Sequence, residues 1–245
     1  MSIIPPVIVV MEKACRNAAK GLLRDFGELE KLQVSNKGPK DFVTNADIKA
    51  EKIIIEELKK ARPNYSVISE ENGIEKNKDK STSWIIDPID GTINFLHGVP
   101  HFAISIALQS NNEIICGLIF DPIKDELFYA EKNMGAFFNN QRIRVSKKRN
   151  INECLFATGK TNNNIDLTCR RSGCAALDMA YVAAGRYDGY FQKDLNLWDI
   201  AAGIILVKEA GGIINEIDLS SLQNIKVLAS STEINAKFVE KIDNF

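Results

Sequence analysis

Residues 83–98 read SWIIDPIDGTINFLHG. Trp84, Ile85 and Ile86 form an unbroken apolar run, the pattern of a buried strand. The chain then sets down Asp87, Pro88, Ile89, Asp90, Gly91 and Thr92. Two carboxylates straddling a proline at the end of such a strand are costly unless something positive meets them. The carboxyl ends of strands are a usual place for a ligand site in sheet proteins. Gly91 lets the backbone approach a ligand, and a helical turn starting there would aim the Gly91 and Thr92 amides outward, toward an anion.

Three other places carry acids in similar settings. Ser69-Glu70-Glu71-Asn72-Gly73 closes another strand, and Trp198-Asp199 opens an otherwise apolar helix. Each has an ordinary structural explanation when taken singly. Asp90 or Asp199 can serve a helix start, and Glu70-Glu71 can be a solvated turn. Together they ask for a hard cation, and oxygen donors of this kind suit magnesium, with a phosphate completing its coordination. Asp47 reads differently. Thr44-Asn45-Ala46-Asp47 opens a long helix with Thr44 as the cap and the acid in the first turn, which is structural when taken alone.

Around these motifs the chain of 245 residues is long enough for one large domain or two halves sharing a core. Helices are expected over about 5–26 and from Thr44 to Ala61, where Ile48, Ile54, Ile55, Leu58 and Ala61 fall on one face. The runs YSVIS, SWIID, FAISIAL, EIICGLIF, ELFYA and GAFFN, separated by turn pairs such as Asn111-Asn112, predict an antiparallel meander. After about residue 150, strands and helices alternate: LFATG, GCAALDMAYVAAG, DGYFQ and WDIAAGIILVKEAGG. The expectation is an α+β half (1–150) and an α/β half (151–245) forming one compact unit.

A net charge of −1 gives no global field for nucleic acid or an anionic membrane. The basic stretch Arg142, Arg144, Lys147, Lys148 and Arg149 reads as a solvated hairpin edge. Five scattered cysteines without a CxxC pair indicate free thiols and a cytoplasmic protein. The apolar start is broken by Pro5 and Pro6 and is too short to span a bilayer. Gly159-Lys160-Thr161 lacks the glycine that a phosphate loop needs five residues earlier, where Cys154 stands. His97 and His101 flank Gly98 and Pro100, which forbid a zinc-binding helix. Neither Cys174 nor Asp194 has an evident base beside it for nucleophilic work.

WIIDPIDGTINF and LWDIAAGIILVKEAGG resemble the two signatures of the magnesium-dependent, lithium-sensitive inositol monophosphatases. KGPKDFVTNADIKAE, ISEENG and RRSGCAALDMAYVAAGRYDG are similar to segments of the family's bacterial members. The resemblance covers nearly the whole chain and implies a layered αβαβα sandwich. It also implies one magnesium held by Glu70, Asp87 and the Ile89 carbonyl, a second held by Asp87, Asp90 and Asp199, and a weaker third near Glu70. Thr92 with Asp47 would orient and deprotonate the attacking water. Asp90, Gly91, Thr92, Ala175, Gln192 and Asp199 would contact a small phosphorylated polyol. The activity implied is hydrolysis of inositol 1-phosphate. The alternatives are 3′-phosphoadenosine 5′-phosphate, fructose 1,6-bisphosphate or histidinol phosphate, or a binding role with the transcription antitermination machinery. A homodimer, with no direct nucleic-acid or membrane contact, is the family default.

Three positions depart from the family pattern. Ile93 replaces a threonine. Gln192 stands where a glutamate usually meets substrate hydroxyls; it can accept through its carbonyl but lacks the charge. KTNNNIDLTC (160–169) is too short for the helix that relatives carry there, which would thin an outer layer or change a dimer contact.

Overall fold

The structure, a computed structural model, describes residues 4–32, 39–159 and 166–242, without the side chains of 30–44. Two helices come first, α1 (Pro6–Leu32) and α2 (Pro39–Ala61). A sheet follows from β1 (Tyr65–Ser69), β2 (Gly73–Glu75), β3 (Asp79–Asp90), β4 (Ala103–Ser110), β5 (Glu113–Asp121), β6 (Glu126–Glu131), β7 (Gly135–Phe138) and β8 (Gln141–Ile143), with the short α3 (Thr92–Leu96) between β3 and β4. Its order is β2-β1-β3-β4-β5-β6-β7-β8. The second half holds β9 (Phe156–Thr158), β10 (Cys169–Arg170), α4 (Ala175–Ala183), β11 (Gly189–Leu195), α5 (Leu197–Glu209), β12 (Ile213–Ile214), β13 (Ile225–Ser230) and α6 (Asn235–Lys241). Its sheet runs β10-β9-β11-β13-β12.

Burial explains the layering. Trp84 and Ile86 of β3, with Ile104 and Ile106 of β4, pack against Ile8, Met11, Ile54 and Leu58 of α1 and α2. Ile85, Ala103 and Ala107 point the other way, into a core shared with α4, α5 and the second sheet through Tyr190 and Val227. The apolar run in SWIID therefore lacks alternation because both faces of its strand are covered. Beyond the second sheet, Phe156 and Phe191 meet Phe238 of α6. Helix pair, sheet, helix pair, sheet and helix make the αβαβα sandwich.

Three expectations need correction. Strands β3 to β8 form the antiparallel meander, but YSVIS pairs with β3 in parallel. The second helix begins at Pro39, so Thr44 is not its cap and Asp47 lies beyond the first turn. Its buried face runs through Ala46, Ala50, Ile54 and Leu58, while Ile48 is 45% exposed. The short loop has its residues 160–165 outside the described structure, as have Lys160 and Thr161 of the dismissed phosphate-loop pattern. The basic residues from Arg142 to Arg149 are exposed, as a solvated edge should be, with Lys148 reaching buried Asp188 at 3.0 Å and Arg149 reaching Glu233 at 2.9 Å. No described helix is long and apolar enough to cross a membrane.

Candidate active site

In a regular strand, residues three apart point to opposite faces. Asp87 and Asp90 nevertheless line the same cavity. The reason is a bulge. Asp87 stands opposite Ser105 and Asp90 opposite Ala103, so Pro88 and Ile89 together face only Ile104. One inserted residue reverses the alternation and bends the strand. Proline is tolerated at a bulge because no ladder N–H is needed there. Strand β3 thus continues to Asp90 rather than ending at Asp87 as the turn-like sequence predicts.

The parallel pairing of β1 with β3 brings a third acid to the same edge. Ser69 lies beside Ile86, so Glu70, just past the end of β1, emerges next to Asp87. Glu51, fully buried on α2, shapes that exit. Its carboxylate accepts hydrogen bonds from Ser69 Oγ (2.9 Å), the Glu71 amide (2.9 Å) and both the amide (3.0 Å) and side chain (2.6 Å) of Asn72. With its neighbours fixed, Glu70 turns into the cavity. The second half supplies Asp199 from the first turn of α5, where its Oδ2 accepts from the Asn196 amide at 2.7 Å.

The cavity of about 220 Å³ is lined by Glu70, Asp87, Ile89, Asp90, Gly91, Thr92, Ala175, Gln192 and Asp199, with Gly159, Gly173, Cys174 and Leu195. Every residue named from the sequence lies there except Asp47, which sits on α2 near enough for its charge to act on Asp87. Asp47 Oδ1 is buried with no hydrogen-bond partner among the described residues. Thr92 Oγ donates to the Ile89 carbonyl at 3.0 Å. Gly91 has φ +94, and a Cβ there would meet the carbonyl oxygens of His101 at 3.1 Å and Gly173 at 3.3 Å. Only glycine fits this junction of the two halves.

These acids repel one another in a dry setting. Burial, reinforced by Glu70, Glu71 and Glu51, pushes Asp47 up to about 8. Burial raises Glu70 to about 7, with Glu71, Asp90 and Glu51 adding to it against a hydrogen bond to Asp87. Asp199 is pushed up to about 7 by burial and Asp90. Burial and the charges of Asp90, Glu70, Asp199 and Asp47 hold Asp87 well above the ordinary carboxylate range. Asp90 reaches only about 6, because Cys174 and the Ala176 amide oppose its burial.

A hard divalent cation is the partner such a donor set fits: the excess is of buried carboxylates, with an orphaned oxygen on Asp47 and no lysine or arginine among the cavity's lining. Among the described residues, no three His, Cys, Asp or Glu side chains already stand together as a closed ligand set. Several acids instead turn an oxygen to a local donor: Asp87 Oδ1 to the Ile89 amide at 3.0 Å, Asp90 Oδ2 to Cys174 Sγ at 3.0 Å, and Asp199 Oδ2 to Asn196.

The sequence reading missed two residues. Glu51 was findable, because it follows Asp47 by one helical turn and extends the polar edge of the same buried face. Cys174 was dismissed as a nucleophile, and burial does hold its thiol far above the range in which it ionises. It acts as a donor to Asp90, which only the meeting of α4 with β3 reveals. The Gln192 carbonyl accepts from Tyr190 Oη at 2.8 Å, which leaves one of its two lone pairs for a further donor.

Comparison with known proteins follows the same lines. A profile of the inositol monophosphatase family matches residues 5–244. The inositol-1-monophosphatase of Caulobacter vibrioides is 44% identical, over 95% of this chain and 99% of that protein. The Nus factor SuhB of Xylella fastidiosa is 42% identical, over 85% of this chain and 81% of its own length. The crystal structure of the extragenic suppressor protein suhB from Bartonella henselae superposes with a TM-score of 0.88 at 42% identity, covering 98% of this chain and 100% of that one. The family and the name of the Caulobacter relative support a phosphatase. The chain belongs to the inositol monophosphatase family.

Proposed function

We propose that the protein is a magnesium-dependent phosphomonoesterase that hydrolyses a small phosphorylated polyol, inositol 1-phosphate first, with its halves 1–150 and 151–245 acting as one unit. The observation that carries this reading is the gathering of Glu70, Asp87, Asp90 and Asp199, from both halves of the chain, around one cavity. Glu70, Asp87 and the Ile89 carbonyl would hold one magnesium, and Asp87, Asp90 and Asp199 a second, with a weaker third near Glu70. Bound there, magnesium supplies Lewis-acid stabilisation of the phosphate and its leaving oxygen and lowers the pKa of water.

The chain's own groups do the rest. Asp47, whose buried carboxyl titrates near neutrality, is suited to take a proton from the attacking water. Thr92 Oγ, anchored on the Ile89 carbonyl, offers its lone pairs to the same water. Gly91, Thr92 and Ala175 border the phosphate and its alcohol. Buried surroundings make each electrostatic contact count for more than it would in water. Burial keeps the Cys174 thiol protonated and the cavity's carboxylates would be committed to the cations, so direct attack by water on phosphorus is the route this reading takes.

Phosphate release from inositol 1-phosphate, 3′-phosphoadenosine 5′-phosphate, fructose 1,6-bisphosphate and histidinol phosphate, with magnesium, without it and with added lithium, tests the reading. Magnesium-dependent, lithium-sensitive turnover led by inositol 1-phosphate supports it. Preference for another ester keeps the chemistry and changes the substrate. A second reading, as a binding factor in transcription antitermination, draws on the relative named Nus factor SuhB. Pull-down of transcription factors by wild type and Asp87→Asn separates the two roles, because a binding role survives loss of the site.

A further inference from the structure

Asn94 stands on α3, four residues after Asp90, at the seam where the two halves of the chain meet. Phe95, fully buried, anchors this short helix against Phe26 and Phe102, with ring centroids at 5.5 and 5.0 Å. From there the Asn94 side chain reaches across the seam. Its Nδ2 donates to the carbonyl of His101 in its own half and to the carbonyl of Ser172 in the other, each at 2.8 Å. Both hydrogens of the amide are used, and turning the amide over would set its oxygen against two carbonyl oxygens. The approach is close enough to need glycine on the far side. A Cβ at Gly173, where φ is +79, would lie 3.2 Å from Asn94 Nδ2.

The turn that Asn94 holds is the one that serves Asp90. Cys174 Sγ donates to Asp90 Oδ2 at 3.0 Å, and the Ala176 amide donates to the same oxygen. Ser172 Oγ accepts from the Cys174 amide at 3.3 Å and donates to Asp178 Oδ1 at 2.7 Å, which ties the turn to α4. Residues 90–94 and 172–176 thus close a ring, with hydrogen bonds across the seam at both ends and Gly91 against the Gly173 carbonyl between them. One end of the ring is a candidate metal ligand. The other, Asn94, is uncharged and does not line the acid cavity, so its part is geometric. On the phosphomonoesterase reading above, on which this step rests, we propose that Asn94 is a positioning residue. By fastening the 172–176 turn to α3 it fixes how Asp90 and Ala175 meet across the cavity, and with that the affinity for magnesium. Asn94 is only half-buried, so water can replace its amide at both carbonyls and the fold survives its removal.

The test reads the turn directly. Cys174 is 1% exposed and meets a thiol reagent only when the ring opens, whereas Cys15, fully buried on α1, reports opening of the molecule as a whole. Labelling of both is followed by peptide mass spectrometry in magnesium-free protein for wild type, Asn94→Ala and Gly173→Ala. The last wedges the clamp apart while keeping both of its donors. In each variant Cys174 labels about tenfold faster, the scale of one lost hydrogen bond, and Cys15 labels at the wild-type rate. Isothermal titration calorimetry then finds magnesium bound about tenfold more weakly in each. Unchanged labelling of Cys174 in Asn94→Ala, faster labelling of both cysteines together, or an unchanged magnesium affinity overturns the inference and leaves the phosphatase reading intact. A wild type that binds magnesium yet releases phosphate from no ester overturns the phosphatase reading, while labelling and affinity still support the clamp.

Discussion

Replacing Asp47 by Asn removes a buried negative charge while keeping the shape of the side chain, and its effect on stability follows from the structure. Asp47 is only 3% exposed and titrates at about 8, against 3.8 for a free aspartate. A raised acid pKa favours the folded state while the group is protonated in both states. That contribution is fully present below about pH 4 and is lost as the pH rises through 8. From 3.8 to pH 7 is about three units at about 1.4 kcal/mol each, so the wild-type residue costs about 4 kcal/mol at pH 7. Asp47→Asn removes that cost. In a protein of this size the gain corresponds to a rise in Tm of roughly 10 °C. The measurement is thermal unfolding in a chelator at pH 4.5, 7 and 8.5. The difference between Asn and Asp grows with pH and shrinks to about 1 kcal/mol at pH 4.5. The same variant loses activity by about a hundredfold or more if Asp47 serves as the base. An unchanged Tm at pH 7, or a gain of the same size at pH 4.5, would refute the electrostatic reasoning.

Other consequences can be checked in parallel. Glu51→Ala leaves the donors of Ser69, Glu71 and Asn72 without their acceptor; it lowers unfolding stability by about 2–4 kcal/mol in denaturant titrations, whereas Glu51→Gln loses less. Thr92→Val keeps the volume and removes the hydroxyl, lowering kcat by about a hundredfold with little change in KM, which steady-state kinetics separates. Magnesium raises the Tm of wild type more at pH 8 than at pH 5, because protons and the cation compete for the same carboxylates; scanning calorimetry at both pH values reads this directly. Sedimentation in solution tests the homodimer expected from the family.

Much of this site was legible in the sequence because its acids sit at chain punctuation: strand exits, a glycine turn, a helix start. DPIDGT and WDIAAG announce themselves in one dimension. What the sequence hid was the geometry that makes the acids converge. The bulge at Pro88 and Ile89 has no pattern of its own, since a proline between two aspartates reads equally well as a turn. The parallel pairing of β1 with β3 brackets the β2 hairpin, and local spacing cannot distinguish it from a meander. Helix α2 starts earlier than Thr44 suggests, because the capping pattern there is also a run of ordinary helix-compatible residues. Gln192 was visible as a departure from the family. That its carbonyl accepts from Tyr190 depends on that residue lying two positions away on the same strand face, and a hydroxyl's partner is a property of packing.

The central claim is that acids from both halves of the chain gather magnesium around a phosphate ester. The most direct measurement is phosphate release from inositol 1-phosphate as magnesium is titrated, in wild type and in Asp87→Asn, with both proteins first shown to be folded by circular dichroism. The account predicts saturable magnesium-dependent turnover in wild type and its loss in the variant at every magnesium concentration. Turnover that persists in Asp87→Asn with the same magnesium dependence would contradict it.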